Sequence, residues 1–286
     1  GVALPQTSMS EEDRKERGIR DRLLEINKIA ATYYYRQLRS ENGKAGLDYL
    51  KKRELSDSTI NSFGLGYATQ STGNLYKLLK DKGYDDDILK ESGLFTYERG
   101  IHEKFWNRVI FPIMDINNKV IGFGGRVMGD AKPKYLNSPE TRLFDKSRNL
   151  YGLNIARTSR KPNMIICEGY MDVISMHQAG FNQAVASLGT ALTPGHARLL
   201  KRYTDNVLIT YDSDEAGVKA ALRAIPILKE AGLSTKVINM RPYKDPDEFI
   251  KAMGAEAFQE RIDNAENSFM YEIGTMLRNY DRGDPE

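Results

Sequence analysis

Three stretches in the second half of the chain each run into carboxylates. MIIC, 164 to 167, leads to Glu168. NVLIT, 206 to 210, leads to Asp212 and Asp214 in YDSD. The stretch from Thr235 to Asn239 is followed by Asp245 and Asp247 in KDPDEF. Two unit charges about 4 Å apart, at an effective dielectric near 20, interact by about 4 kcal/mol, so five carboxylates in one cleft need an offset. Protons, Lys or Arg, or hard cations would supply it. Oxygen-only donors with no His or Cys beside them favour Mg²⁺ or Mn²⁺ over Zn²⁺. Two such ions could activate a hydroxyl and steady a pyrophosphate leaving group. Alternation in an extended DSD puts Asp212 and Asp214 on one side. Glu168 gains a second role, as general base or proton relay, only if its pKa rises in the cluster. Any one of these aspartates alone could be a helix cap or turn, and for Asp245 in DPDE that is the better single-residue reading.

The elements that must hold these acids follow from the pattern. Strands are expected at 163–167, 183–187, 206–210 and 235–239. Helices are expected at 170–179, from Thr193 as cap with Pro194 first, at 215–230, and from Glu248. Strands alternating with helices imply a parallel sheet with right-handed crossovers, whose ligands bind beyond the carboxyl ends of the strands. Cys167 reads as a small core residue and His177 as packing or surface, and His102 and His196 are isolated.

The first half reads differently. Residues 1–9 look extended. Ser10 followed by Glu11, Glu12 and Asp13 begins a helix in which Ile19, Leu23, Ile26, Ala30 and Tyr33 or Tyr34 recur at helical spacing. Of Tyr33, Tyr34 and Tyr35, at least one must face the core, so packing outranks base stacking. Short helices follow at 45–53, after Ser56, at 75–80 and at 86–91, with one strand in 64–74. RVIFPIMD and KVIGFGGRVMG form two strands joined at Asn117 and Asn118, and Pro112 places the first at an edge or a bulge. Gly122, Gly124 and Gly125 suit close backbone approach and match neither GxGxxG nor the P-loop. The segment 130–148 lacks periodicity. It mixes Lys132, Lys134, Arg142, Lys146 and Arg148 with Tyr135 and Phe144, a surface for phosphates and bases or simply an anchored loop.

Bulk properties set limits. The 286 residues suit one large domain or two to three smaller ones, with 40% hydrophobic and 28% charged residues. One cysteine excludes an internal disulfide, gives no zinc cluster and suits a reducing cytosol. No apolar run spans a bilayer, and the N-terminus has no signal-peptide core. Net charge is only +3, but residues 99–148 hold ten Lys or Arg against five acids, whereas 163–260 hold ten against twelve. A basic surface beside an acidic one suits a polyanionic substrate, and an ordinary solvated surface explains the charge equally well.

EGYMDV at 168–173, DSDEAG at 212–217 and KDPDEF at 244–249 resemble the Toprim fold of primases, topoisomerases and certain nucleases. RVIFPIMD, GFGGRV, PKYLNSPET, LYGL and SLGTALTPGHARLL narrow this. Together they resemble the polymerase domain of bacterial DnaG-type primases over nearly the whole chain. The resemblance implies an α/β protein: a central Toprim parallel-sheet domain with an N-terminal α+β subdomain and the start of a C-terminal helical one, divided as 1–150, 151–262 and 263–286. It implies short RNA primers made on single-stranded DNA from NTPs, through an RNA primer–DNA hybrid. Glu168, Asp212, Asp214, Asp245 and Asp247 would hold Mg²⁺ or Mn²⁺, with Glu168, Asp212 and Asp214 catalytic. Arg108, Arg126, Lys134 and Lys146 would meet template or nucleotide. A cytoplasmic place at the replication fork follows, with a helicase and single-strand binding protein as partners of the full-length protein. The zinc-binding and helicase-binding domains of the family are not in this stretch, and the chain, beginning at Gly1, reads as a fragment. A Toprim topoisomerase or nuclease is the runner-up, and a non-catalytic nucleic-acid-binding module the third reading.

Overall fold

The computed structural model describes residues 10–98 and 100–280. The expectation for residues 1–9 and the contribution of Arg99 to the basic stretch lie outside these. The chain forms two compact units. The first comprises residues up to Asp48, Gly64–Pro112 and Lys119–Phe144; the second, Tyr49–Phe63, Ile113–Asn118 and the chain from Asp145.

In the first unit, α1 (Glu11–Leu38) starts at a capping box: the Ser10 hydroxyl accepts from the Asp13 amide, and the Asp13 carboxylate accepts from the Ser10 amide. Leu23, Ile26, Ala30, Tyr34 and Leu38, three or four residues apart, are buried along one face. Tyr34 is the tyrosine of the triplet that enters the core, edge-on to Phe123. After a 3₁₀ turn at Glu41–Gly43, α2 (Lys44–Lys52) leads into the second unit, which holds the Ser56-capped α3 (Asp57–Ser62), before the chain returns at β1 (Gly66–Ala68). Then come α4 (Asn74–Asp81), α5 (Asp86–Glu91), the small pair β2 (Phe95–Thr96) and β3 (His102–Glu103), β4 (Arg108–Met114), β5 (Val120–Val127) and β6 (Tyr135–Asn137).

The four-stranded sheet runs β1-β4-β5-β6. The strand carrying Pro112 is therefore internal, not an edge. Its partner β1 pairs only with Arg108 to Ile110, so Pro112 lies past the end of that ladder and its missing N–H costs no bond to β1. The strand β6, antiparallel to β5, sits inside the segment that has no periodicity in the sequence; three residues are too few to show alternation. Gly125 is required by packing: a Cβ there would lie 2.8 Å from the Phe105 ring and 3.0 Å from the Arg108 side chain.

The second unit adds α6 (Leu153–Ala156), β7 (Met164–Cys167), α7 (Tyr170–Gln178), β8 (Ala184–Ala186), α8 (Pro194–Lys201), β9 (Asn206–Ile209), α9 (Glu215–Glu230), β10 (Ser234–Val237), α10 (Pro246–Asp263), β11 (Glu266–Asn267) and α11 (Ser268–Tyr280). Its sheet has the order β11-β10-β9-β7-β8. The β9–β10, β7–β9 and β7–β8 pairs are parallel, as the alternation predicts. The two-residue β11 adds an antiparallel edge that the sequence does not announce. Ile166, Val185, Val207 and Ile209 of the strands bury against Ala221, Ile225 and Leu228 of α9, and α7 packs on α10. Each such side chain contributes about 1.5–3 kcal/mol on burial, which is why the strand interiors read as continuous apolar runs.

Candidate active site

The carboxylates gather where β7 and β9 end. Thr210 extends the ladder by donating its amide to the Ile166 carbonyl at 2.8 Å, which places Tyr211 and Asp212 beside the turn after β7. Glu168 closes that turn: its Oε1 accepts from the Asp212 amide at 2.9 Å. Gly217 makes the approach possible from the other side. A Cβ there would stand 2.0 Å from the Asp212 carbonyl oxygen, so the DSDEAG glycine is dictated by the helix lying against the strand end.

Two of the acids double as helix caps. Asp214 Oδ1 accepts from the Gly217 amide and caps α9, and Asp245 Oδ1 accepts from the Glu248 amide and caps α10, both at 2.8 Å. The cap reading and the site reading are thus compatible, because each carboxylate has a second oxygen. Lys244 supplies the nearest cation, with Nζ 3.3 Å from Asp212 Oδ2, and its carbonyl accepts from the Ser213 amide at 2.8 Å.

The electrostatics are those of an under-compensated cluster. Burial first, then the charges of Asp212 and Asp214, push Glu168 above the usual carboxylate range, against the Asp212 amide and Lys244. Burial also raises Asp212; Lys244 opposes this, and Asp245 and Asp214 add to it. Asp172 goes furthest. Burial and the charges of Asp245 and Asp212 raise it to about 8, although its Oδ2 accepts from the Gly169 amide at 2.9 Å. Asp172 is not among the candidates that the sequence singles out, where it is simply the fifth residue of EGYMDV. The available signal is its place one helical turn after Glu168, on the first turn of α7.

Asp247 behaves differently from its expected partners. It is 4% exposed, and its oxygens accept from Ser175, Arg53 and Lys251. The structure uses it to tie α10 to α7 and to the α2–α3 connection, and its charge is already answered there. Proximity along DPD gives no hint of this, because Arg53 is 194 residues away.

The donor set fits a hard divalent cation in kind: Glu168, Asp212, Asp214 and Asp245 offer only oxygens, Glu168 feels more repulsion than Lys244 cancels, and burial keeps Asp212 raised despite Lys244. As the side chains stand, no three His, Cys, Asp or Glu among the described residues are set to hold one ion. A cleft of about 370 Å³ opens beside Glu168, lined also by Ser187, Gly189, Thr190, Tyr211 and Arg223.

Of the four expected cations, Arg108 departs most from expectation. It is 5% exposed, and its Nη1 donates to the carbonyls of Gly125 and Pro133 at 3.1 and 3.0 Å. Burial lowers its pKa. It braces the β4–β5–β6 sheet instead of presenting a surface charge. Arg126 is half-buried and donates to the Val127 carbonyl at 3.0 Å, and Lys134 is exposed. Lys146 is half-buried in the second unit, and its carbonyl meets His196 Nε2 at 2.7 Å. Arg142, from the same basic segment, is paired with Glu16 and Glu91.

A parallel-sheet unit with acids beyond its strand ends, preceded by a helical and antiparallel unit, defines a Toprim-containing nucleic-acid enzyme core. The family model "DNA primase catalytic core, N-terminal domain" matches residues 33–157, and the "Toprim-like" model matches 165–250. A DNA primase of Clostridium acetobutylicum is 48% identical over 268 residues, covering 93% of this chain and 45% of that protein. The structure of a DnaG primase catalytic domain bound to ssDNA superposes with a TM-score of 0.85 at 35% identity, covering 94% of this chain and 86% of that one. The E. coli primase catalytic core gives 0.82 at 37%, covering 92% and 86%. The chain belongs to the DnaG primase catalytic-core family, and the topoisomerase and nuclease readings are not favoured. It spans a little under half the length of the curated relatives it matches.

Proposed function

We propose that this chain is the polymerising core of a primase, making short RNA primers on single-stranded DNA by nucleotidyl transfer from NTPs. The observation that carries this reading is the oxygen-only carboxylate cluster at the ends of β7 and β9, in a family whose catalytic domain has been captured on ssDNA. In the reaction a primer or first-nucleotide 3′ oxygen bonds to the α-phosphorus of an NTP, and the bond to the β-phosphate bridge breaks to release pyrophosphate. Mg²⁺ or Mn²⁺, two or more ions held by Glu168, Asp212, Asp214 and Asp245, would supply the charge that steadies the attacking and leaving oxygens.

The chain's own groups account for the rest. Glu168, with its proton affinity raised, is suited to take the proton from the 3′ hydroxyl. Lys244 holds Asp212 in place until substrate arrives. Arg223, at the rim of the cleft beside Glu168, can meet a phosphate. Asp247 positions α10, and through it Asp245, rather than taking a cation directly.

The same reading assigns Arg126, Lys134 and Lys146 to template or nucleotide contacts and leaves Arg108 as a brace. It divides the work between 1–150 as the basic subdomain, apart from 49–63 and 113–118, which group with the second unit, and 151–262 as the catalytic Toprim subdomain, followed by a helical stretch. It also implies an RNA–DNA hybrid product, a replicative helicase and single-strand binding protein as partners, and a cytoplasmic place at the replication fork. No helix among the described residues is long and apolar enough to cross a membrane. The test is labelled NTP incorporation on single-stranded DNA with Mg²⁺ or Mn²⁺, with and without a pre-annealed primer. Template-dependent RNA that is lost in Asp212→Ala is the expected result; product that survives Asp212→Ala would overturn the site.

A further inference from the structure

A second charged cleft lies in the Toprim unit and shares no side chain with the carboxylate site. It is about 420 Å³, within the ~300–1,000 Å³ range of ligand-sized clefts, and is lined by Arg148, Gly195, Arg198, Leu199 and Arg202. We propose that it binds a phosphate group, supplied by the backbone of a nucleic-acid strand.

The fold goes to some length to assemble it. The loop carrying Arg148 is pinned to the start of α8: Thr193 Oγ1 donates to the Ser147 carbonyl at 2.6 Å, and His196 Nε2 meets the Lys146 carbonyl at 2.7 Å. Gly195 lets the two backbones touch. A Cβ there would stand 2.5 Å from the Ser147 carbonyl oxygen and 3.3 Å from Arg148 Cγ. The loop of Arg148 is thereby held beside the face of α8 that carries Arg198, with Arg202 one turn on at the C-cap.

The charges in this cleft are poorly answered by the protein. Arg148, whose side chain is 75% exposed, has one carboxylate among the described residues, Asp145 Oδ2 at 3.3 Å. Neither Arg198 nor Arg202 forms an ion pair among the described residues. The other cation of α8, Lys201, is satisfied on its own: its Nζ donates to Asp205 at 2.6 Å and to the Gly232 carbonyl at 2.8 Å. Three guanidinium groups around one opening, with one weak counter-charge, form a fork array matched to the tetrahedral oxygens of phosphate. The opening faces solvent and the arginines are exposed, which suits a strand passing over the surface better than a small molecule that must be enclosed.

The test is fluorescence-anisotropy binding of a labelled single-stranded oligonucleotide to the 286-residue chain across a salt series. The variants are Arg198→Ala/Arg202→Ala, Arg148→Ala and Arg198→Lys/Arg202→Lys, with thermal melts confirming the fold. The alanine pair is expected to weaken binding about tenfold, and to flatten the log–log salt slope by about 0.7 for each phosphate that is no longer neutralised. The lysine pair, which keeps charge but loses the fork, should fall between it and the original. A lysine pair that binds like the original would overturn the fork site. Side-chain NMR of the arginines with inorganic phosphate, and separately ATP, distinguishes the source. Shifts at Arg148, Arg198 and Arg202 with oligonucleotide affinity unmoved would keep the phosphate site and assign it to a free anion. Unchanged oligonucleotide affinity and slope in the alanine pair, with no phosphate- or ATP-dependent shifts, would overturn the proposal.

Discussion

Glu103 and Glu168 are both glutamates at strand ends, and burial raises the proton affinity of both. Their surroundings separate them. Glu103, 7% exposed, accepts from the amides of Leu75 and Tyr76 at 2.7 and 3.2 Å, and so caps α4. Its hydrogen bonds pull back towards ionisation, and no neighbouring charge among the described residues resists. Glu168 accepts one amide and faces Asp212 and Asp214. The first carboxylate has its needs met by the fold. The second is left partly unmet, and a site for catalysis or cations is where such an imbalance is expected.

The sharpest way to break this contrast is to neutralise both. Glu168→Gln is expected to lower primer synthesis by about 100-fold or more while leaving the melting temperature unchanged or higher, because a repulsive charge is removed. Synthesis and thermal melts on the same preparations check it; a stable variant with full activity would remove Glu168 from the chemistry. A smaller effect is expected at Asp247, a carboxylate satisfied like Glu103 but by side chains. Asp247→Ala leaves Arg53, Lys251 and Ser175 without their acceptor, and should cost about 2–3 kcal/mol in denaturant unfolding, below the usual cost of a broken buried pair because Arg53 and Lys251 are partly exposed. If stability holds and only activity falls, Asp247 belongs with the site after all.

Glu103→Ala is the complement. It should cost about 1–3 kcal/mol of stability by orphaning the Leu75 and Tyr76 amides. At a temperature where the variant is folded, its specific activity should match the original, and a lost activity would erase the distinction between the two glutamates. The smallest effect is a pH slope. Asp172 has a folded pKa of about 8, against about 3.9 when unfolded. Between those values the folded chain holds a proton the unfolded chain has lost, so this contribution to stability is complete below about pH 4, erodes as pH rises and is gone above about pH 8. Asp172→Asn should flatten that decline in melting temperature measured from about pH 5 to 8. An unaltered slope would mean that Asp172 is ionised in the folded state.

Much of the site is readable from order alone. The alternation of apolar runs and helices gives the parallel β7, β8, β9 and β10, and an acid directly after such a strand must lie at the sheet's carboxyl edge. Caps are equally local: Ser10, Ser56 and Thr193 each bond an amide three residues on, as their positions before helices require. What fails to show are features defined by distant partners. The strands β6 and β11 are two or three residues long and exist because another strand pairs with them. Pro112 reads as an edge or a bulge; its strand is internal, and the proline is tolerated there because β1 pairs only with Arg108 to Ile110.

The sequence by itself determined the alternating strands and helices of the second unit and put Glu168, Asp212 and Asp214 at its strand ends, because strand ends and helix caps are fixed by neighbours within a few residues. Only the tertiary structure decided which charges were already answered. Asp247 and Arg108 carry the residue types of a working site, yet Arg53 and the Gly125 and Pro133 carbonyls occupy them. Asp172 looks ordinary in the chain and is left facing like charges, and Arg198 and Arg202 look equally ordinary and come to line one cleft with Arg148. A residue's formal charge is local, but the field it feels is summed over space, and that sum does not exist until the chain has folded.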